Sequence, residues 1–220
     1  VTNLFNIPLG FGFMCLVVSI SAQADEVDDS DYLSSLEKEI VEEHNLARTH
    51  PDKYAAFLEE WKPYYDDKVL KRPGEPHIIT QEGVSAVEEA IRFLREAEPV
   101  PTLRPSKGMS LGAQDLVEYA GPRGAVGHTG GEGSQVAERV NRYGTWQGQV
   151  GENISYGGDD AREIVIRLII DDGVPDRGHR ENIFNPDFRV IGVACGPHES
   201  QYETMCVITL AADYIEGNQQ

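Results

Sequence analysis

Two short apolar runs near the C-terminal end constrain this chain more than any other feature. Residues 188–194 (FRVIGVA) and 205–212 (MCVITLAA) are apolar at nearly every position and rich in Val and Ile. Runs of this length and composition fit central strands buried on both faces; a strand with one wet face would alternate. The intervening Gly196-Pro197-His198-Glu199-Ser200-Gln201-Tyr202 is turn-rich, so the two runs read as a β-hairpin. Each arm carries one cysteine, Cys195 or Cys206. A bridge between neighbouring strands is sterically open at a non-hydrogen-bonded pair, and we expect a disulfide here over two buried free thiols.

Helical spacing predicts helices over 32–49, 52–61, 82–97, 109–120 and about 134–141. Ser34 and Glu37 form an S-x-x-E box, with Leu33 arguing for a slightly earlier start. Leu33, Leu36, Ile40 and Ala47 share one face, and His44 fills the gap in it. In the helix over 109–120, Met109, Leu111 and Leu116 are expected to point inward. Residues 151–156 (GENISY) read as a strand. Asp160-Ala161-Arg162-Glu163 opens a further helix with Ala161, Ile164, Val165, Leu168 and Ile169 on its apolar face, closed by Asp171-Asp172-Gly173 and Pro175. The stretches 62–80 and 98–107 have the texture of loops, and a glycine-rich loop over 121–133 carries His128. Helices bracketing a few buried strands imply a layered α/β architecture.

Residues 1–24 contain no Asp, Glu, Lys or Arg, and an apolar stretch over 11–20 is followed by Ser21-Ala22-Gln23-Ala24. An apolar segment of roughly 7–15 residues closed by Ala-x-Ala is the pattern of a cleaved secretory signal, against the alternative of an uncleaved anchor. Export to the extracellular space or periplasm follows, and it removes Cys15 and leaves an even pair of cysteines in an oxidising compartment. The remaining residues carry the whole charge: 19 basic against 37 acidic side chains give −18. That balance excludes sequence-independent nucleic-acid binding and polybasic docking to an anionic membrane.

The residues able to carry chemistry are scattered. His128 and His179 each follow a glycine, Glu152 stands at a strand entrance, and Asp171 and Asp172 close a helix. Carboxylates at a helix C-terminus oppose the macrodipole unless a cation compensates. There is no H-E-x-x-H, phosphate-binding loop or dinucleotide fingerprint. His128 and His179 lie too far apart for a compact zinc motif.

Taken in order, however, His44-Asn45-x-x-Arg48, Gly127-His128-Thr129, Gly151-Glu152-Asn153-Ile154, Gly178-His179-Arg180-x-Asn182-Ile183 and residues 188–195 resemble the CAP superfamily. That superfamily comprises cysteine-rich secretory proteins, antigen 5 and pathogenesis-related proteins, and its core is the SCP domain. The resemblance covers about 32–214. It implies a three-layer α-β-α sandwich with a central, mostly antiparallel sheet; the signal over 1–24, an acidic leader over 25–31 and a tail over 215–220 lie outside it. A segment over about 62–107 and the residues before His179 depart from the eukaryotic pattern and mark a bacterial-type member.

The resemblance further implies an open cavity lined by His128, Glu152, His179 and a second acid, which falls on Asp171 with Asp172 in competition. His128 and His179 would hold a divalent metal such as Zn²⁺, with Glu152 orienting an imidazole or holding water. Asn45, Arg48 and Asn182 are expected to be structural, Asn182 by fixing a loop after His179. His44, His50, His77 and His198 are expected to be structural or surface residues, and Trp61 and Trp146 to pack or rim the cavity. The glycosylation pattern Asn153-Ile154-Ser155 falls in a buried strand and is expected to be unused. The expected function is a secreted, metal-responsive binding module for a lipid or cell-envelope ligand. A metal-dependent hydrolase, with Glu152 as the candidate catalytic residue beside His128 and His179, is the alternative. A structural envelope protein is the third reading.

Overall fold

The computed structural model describes residues 31–218. The expected signal segment, Cys15 and the acidic leader up to residue 30 lie outside the described residues.

Helix α1 (Ser35–Thr49) is opened by a complete capping box: the Glu37 amide donates to Ser34 Oγ, and the Ser34 amide donates to the Glu37 carboxylate. Leu33 therefore lies outside the helix, buried ahead of the cap, which corrects the earlier start expected from its apolarity. Helix α2 (Pro51–Trp61) begins on Pro51, where a missing N–H costs nothing. The segment expected as loop then forms three two-residue strands, β1 (Tyr65–Asp66), β2 (Val69–Leu70) and β3 (Ile78–Ile79), in one antiparallel sheet ordered β1-β2-β3. Strands this short carry no periodicity, and the burial of Leu70 against the helices anchors them.

Helix α3 (Val84–Glu96) follows, then strand β4 (Arg104–Pro105), α4 (Lys107–Ala120), α5 (Val136–Val140) and β5 (Gly144–Tyr156). Strand β5 is longer than its apolar part suggested, because residues 144–150 are largely exposed yet still pair with the chain end. Helix α6 (Ala161–Ile170) is capped by Asp160, whose carboxylate accepts from the Glu163 amide at 2.8 Å. A short helix, α7 (Gly178–Phe184), replaces the loop expected after His179. Strands β6 (Val190–His198) and β7 (Glu203–Glu216) form the expected hairpin.

The main sheet runs β4-β6-β7-β5, with β4 parallel to β6 and all other pairs antiparallel. Side chains alternate across it. On one face Ile191, Val193, Ile208 and Leu210 join the core built by α1, α2, α3 and α6. On the other, Ala194, Met205 and Val207 pack under Ala113, Leu116 and Val117 of α4, and Val190 and Ala211 pack with Met109. Leu111, expected inward, is only half-buried, since the sheet-facing side of α4 runs through Met109, Gly112, Ala113 and Leu116. Helix α4 lies so close to the sheet that a Cβ on Gly192 would sit 2.2 Å from the Met109 carbonyl carbon. Ser110 Oγ accepts from the Val193 amide at 3.0 Å, and Thr209 Oγ1 donates to the Met109 carbonyl at 3.0 Å. The fold is thus the expected helix–sheet–helix sandwich.

Cys195 and Cys206 are directly opposed in the hairpin and disulfide-bonded, with Cα atoms 4.1 Å apart. The Cys195 amide turns away from β7 and donates to the Glu37 carboxylate at 2.8 Å, as an outward-facing amide of a non-hydrogen-bonded pair can.

Candidate functional site

The first half of the site is built on β5 and the glycine-rich loop. Glu152 projects to the α4 side of the sheet, and its carboxylate is 2% exposed. Its Oε1 lies 2.9 Å from His128 Nδ1, and its Oε2 accepts from Arg139 Nη2. Arg139, fully buried on α5, also donates through Nη1 to the His128 carbonyl at 3.0 Å and the Ser134 carbonyl at 2.8 Å. One guanidinium therefore fixes both the carboxylate and the backbone of the histidine it faces. Gly127 supplies the left-handed turn into His128 with φ +101°, and its amide donates to the Tyr156 hydroxyl at 2.8 Å. The His128 side chain itself is 49% exposed.

The second half lies where α6 ends and α7 begins. Asp171 closes α6 in the left-handed conformation, with its side chain 3% exposed. Its Oδ2 accepts from the His179 amide at 2.9 Å, and its Oδ1 lies 2.6 Å from His179 Nδ1. Asp172 does something else: its two oxygens accept from the amides of Gln81 and Glu82 and cap the approach to α3. The structure thus puts Asp171, and not Asp172, on His179.

The macrodipole conflict at this helix end is relieved by Arg177, which donates to the Asp171 carbonyl at 2.7 Å. Arg177 also binds Glu82 and Glu89, and Arg180 binds Glu89 and the Ile169 carbonyl. Hydrogen bonds from Arg177 hold the Glu82 carboxyl down at about 2, and those from Arg180 hold Glu89 below the ordinary range. The segment carrying His179 is laced to α3 on both sides of the histidine.

Consecutive residues of β5 serve the two halves. Glu152 takes His128, and Asn153, on the opposite face, donates to the His179 carbonyl at 2.9 Å. Asn182 donates in turn to Asn153 Oδ1 at 2.8 Å, so it fastens a helix to the strand rather than fixing a loop. Asn153 is fully buried, which leaves no room for a glycan. His128, Glu152, Asp171 and His179 thus form two histidine–carboxylate pairs. Among the described residues no group of three or more His, Cys, Asp or Glu side chains is gathered to hold a metal ion. In each pair a buried carboxylate accepts from Nδ1–H, which leaves the Nε2 lone pair free. An imidazole oriented in this way presents a nitrogen of metal-ligating type.

The cavity expected around all four residues is a groove of about 1160 Å³ that is lined by Asp171 and His179 but by neither His128 nor Glu152. It runs between α2, the β1–β3 sheet and α6 to the end of β5, where Tyr156 and Tyr202 line it.

The remaining residues singled out from the sequence are structural here. Asn45 pairs with both backbone groups of Leu103, and buried Arg48 donates to the carbonyls of Pro101, Ile183, Asn185 and Phe188. Burial lowers the Arg48 guanidinium to about 10. His44 is fully buried with Nδ1 on the Ile40 carbonyl, and burial pulls its pKa down to about 4. His198 is buried between the Ala125 carbonyl and Ser200, and His50 and His77 are exposed. Trp61 lines the groove, and Trp146 packs with Met109, Val140 and Tyr214. Sequence reasoning missed Arg139. Val136, Arg139 and Val140 share i, i+3, i+4 spacing, so a charge on an apolar face was the available signal.

The model of the cysteine-rich secretory protein family, CAP, matches residues 41–210. No curated protein matches the chain. Among solved structures, an outer surface protein from Borrelia burgdorferi is 17% identical with a TM-score of 0.43, covering 58% of this chain and 89% of that one. An extracellular protein containing an SCP domain from Bacillus anthracis is 18% identical with a TM-score of 0.39, covering 57% of this chain and 38% of that one.

Proposed function

The chain belongs to the cysteine-rich secretory protein (CAP) family, and on that premise we propose that it is an exported binding module whose site responds to a divalent metal. The observation that carries this reading is the repeated histidine–carboxylate pair. His128 and His179 each have Nδ1 committed to a buried carboxylate, so each offers Nε2 outward in a defined orientation. Two imidazoles are fewer than the three protein ligands usual for catalytic zinc, and ligand or water must complete the shell. Such a site couples metal occupancy to whatever extracellular or cell-envelope component lies in the adjoining groove. Export is supported by the signal pattern and by the cysteine pair. No helix among the described residues is long and apolar enough to cross a membrane.

A hydrolase is the weaker reading. Both oxygens of Glu152 are engaged, one by His128 and one by buried Arg139, which leaves it poorly placed as a general base. Isothermal titration of the mature protein with Zn²⁺ tests the proposal. Binding is expected, and His128→Ala/His179→Ala is expected to abolish it. An unchanged stoichiometry in the double variant overturns the reading. Chelator-sensitive, His179-dependent cleavage of a peptide or ester panel would establish the hydrolase instead.

A further inference from the structure

The groove is lined by seven carboxylates, those of Glu60, Glu75, Asp159, Asp160, Glu163, Asp171 and Asp172, against three guanidinium groups. All three guanidiniums are already consumed. Arg72 binds Glu75 and Glu163 and lies over the Trp61 ring, 4.5 Å from its centroid. Arg162 binds Glu43 and lies over Phe57 at 4.3 Å, and Arg167 binds Glu163. The groove therefore contains, twice, the same solution for holding a cation: a guanidinium flat on an aromatic ring and tied to a carboxylate.

A third aromatic station carries no guanidinium; the imidazole of His198 packs on it instead, 5.2 Å from the Tyr156 ring and 6.4 Å from that of Tyr202. Tyr156 and Tyr202 lie with ring centroids 5.5 Å apart at the end of β5, and Tyr202 is 41% exposed. Three residues beyond Tyr156, across Gly157-Gly158, the exposed Asp159 has no hydrogen-bond or ion-pair partner among the described residues, and neither does Glu60 on the α2 wall. The lining also includes the apolar side chains Leu70, Ile78, Ile154 and Ile166. At about 1160 Å³ the groove exceeds the size usual for a drug-sized ligand and suits an extended chain.

Resting on the binding-module reading, we infer that the groove docks an extended basic segment of another polypeptide, with a Lys or Arg on the Tyr156–Tyr202–Asp159 station and apolar residues along the floor. The chain's −18 charge steers such a partner in and repels anionic lipid and phosphate. The closing experiment is fluorescence anisotropy with a labelled ten-residue peptide alternating Arg with Leu or Tyr, run in chelator. Failure of metal binding then leaves this result untouched, and failure here leaves the zinc result untouched.

Binding that weakens with salt is expected. Tyr202→Ala should lower affinity roughly two- to fivefold, and Asp159→Lys roughly tenfold. Both positions are exposed, and circular dichroism confirms that the variants fold; Glu60→Lys probes the opposite wall independently. Three results overturn the inference: equal binding of a charge-reversed acidic peptide, indifference to all three substitutions, or no peptide binding while phosphatidylcholine vesicles bind.

Discussion

Arg139→Met is the sharpest perturbation of this architecture. The guanidinium is fully buried and serves three acceptors: the Glu152 carboxylate and the carbonyls of His128 and Ser134. Methionine fills much of the volume but supplies no donor. It strands a carboxylate that is 2% exposed and still held by His128 alone. Removing one partner of a buried ion pair typically costs about 3–5 kcal/mol, and each orphaned buried carbonyl adds roughly 1–3 kcal/mol where water cannot replace the donor. Against a total stability of about 5–15 kcal/mol, the ion-pair loss alone, about 4 kcal/mol, is already a large share. Urea unfolding followed by tryptophan emission, at pH 7, reads it as a fall in midpoint at constant slope. The double variant Arg139→Met/Glu152→Gln separates the causes: without the stranded charge, at least half of the loss should return. A loss below about 1 kcal/mol in the single variant, or no recovery in the double, refutes the reasoning.

Three further outcomes follow from the same geometry. Asp171→Asn should weaken Zn²⁺ binding by roughly 10–100-fold in calorimetric titration, whereas Asp172→Asn should leave it within error, since only Asp171 orients His179. His44 is neutral in the fold, its pKa pulled from 6.5 to about 4 by burial, so the unfolded chain binds the extra proton between those values. Stability should therefore fall by roughly 3 kcal/mol as pH drops from 6.5 through 4, and His44→Leu should flatten that part of the profile measured by denaturant unfolding. Gly192→Ala places a Cβ against the Met109 backbone, and thermal unfolding should show a loss of at least about 1–3 kcal/mol; an unchanged Tm would mean that α4 can move.

The hairpin, the disulfide and the helices with long apolar faces were legible because local pattern and burial coincide there. Apart from Arg189 and Thr209 the 188–194 and 205–212 runs have no polar position to place in water, and the Ser34–Glu37 box marks its own helix start. The three small strands over 65–79 and helix α7 were not legible. Each is too short for a period to emerge, and each is held by distant groups: Leu70 by the helical core, α7 by Arg48, Asn153 and Glu89. The exposed half of β5 was hidden for a related reason: it is strand because β7 pairs with it, not because of its own residues.

At the site, order along the chain was enough to nominate His128, Glu152, His179 and Asp171. The resemblance favoured Asp171 but left Asp172 in competition, since both are carboxylates at the end of one helix. Folding separates them by a single backbone step. The left-handed turn at Asp171 aims its oxygens at His179, and the next residue faces the start of α3. Arg139 shows the same division more strongly. Its position on an apolar helix face was written in the sequence, but its partners lie on a loop and a strand whose approach only the packed sheet creates. What the sequence determined by itself is what short-range pattern can encode: which segments must be buried, where helices begin, and which chemical groups exist. Which groups meet depends on how α4 and α5 settle on the sheet and how α3 grips α7. Those contacts join residues far apart in the chain, so they exist only once the layers have closed.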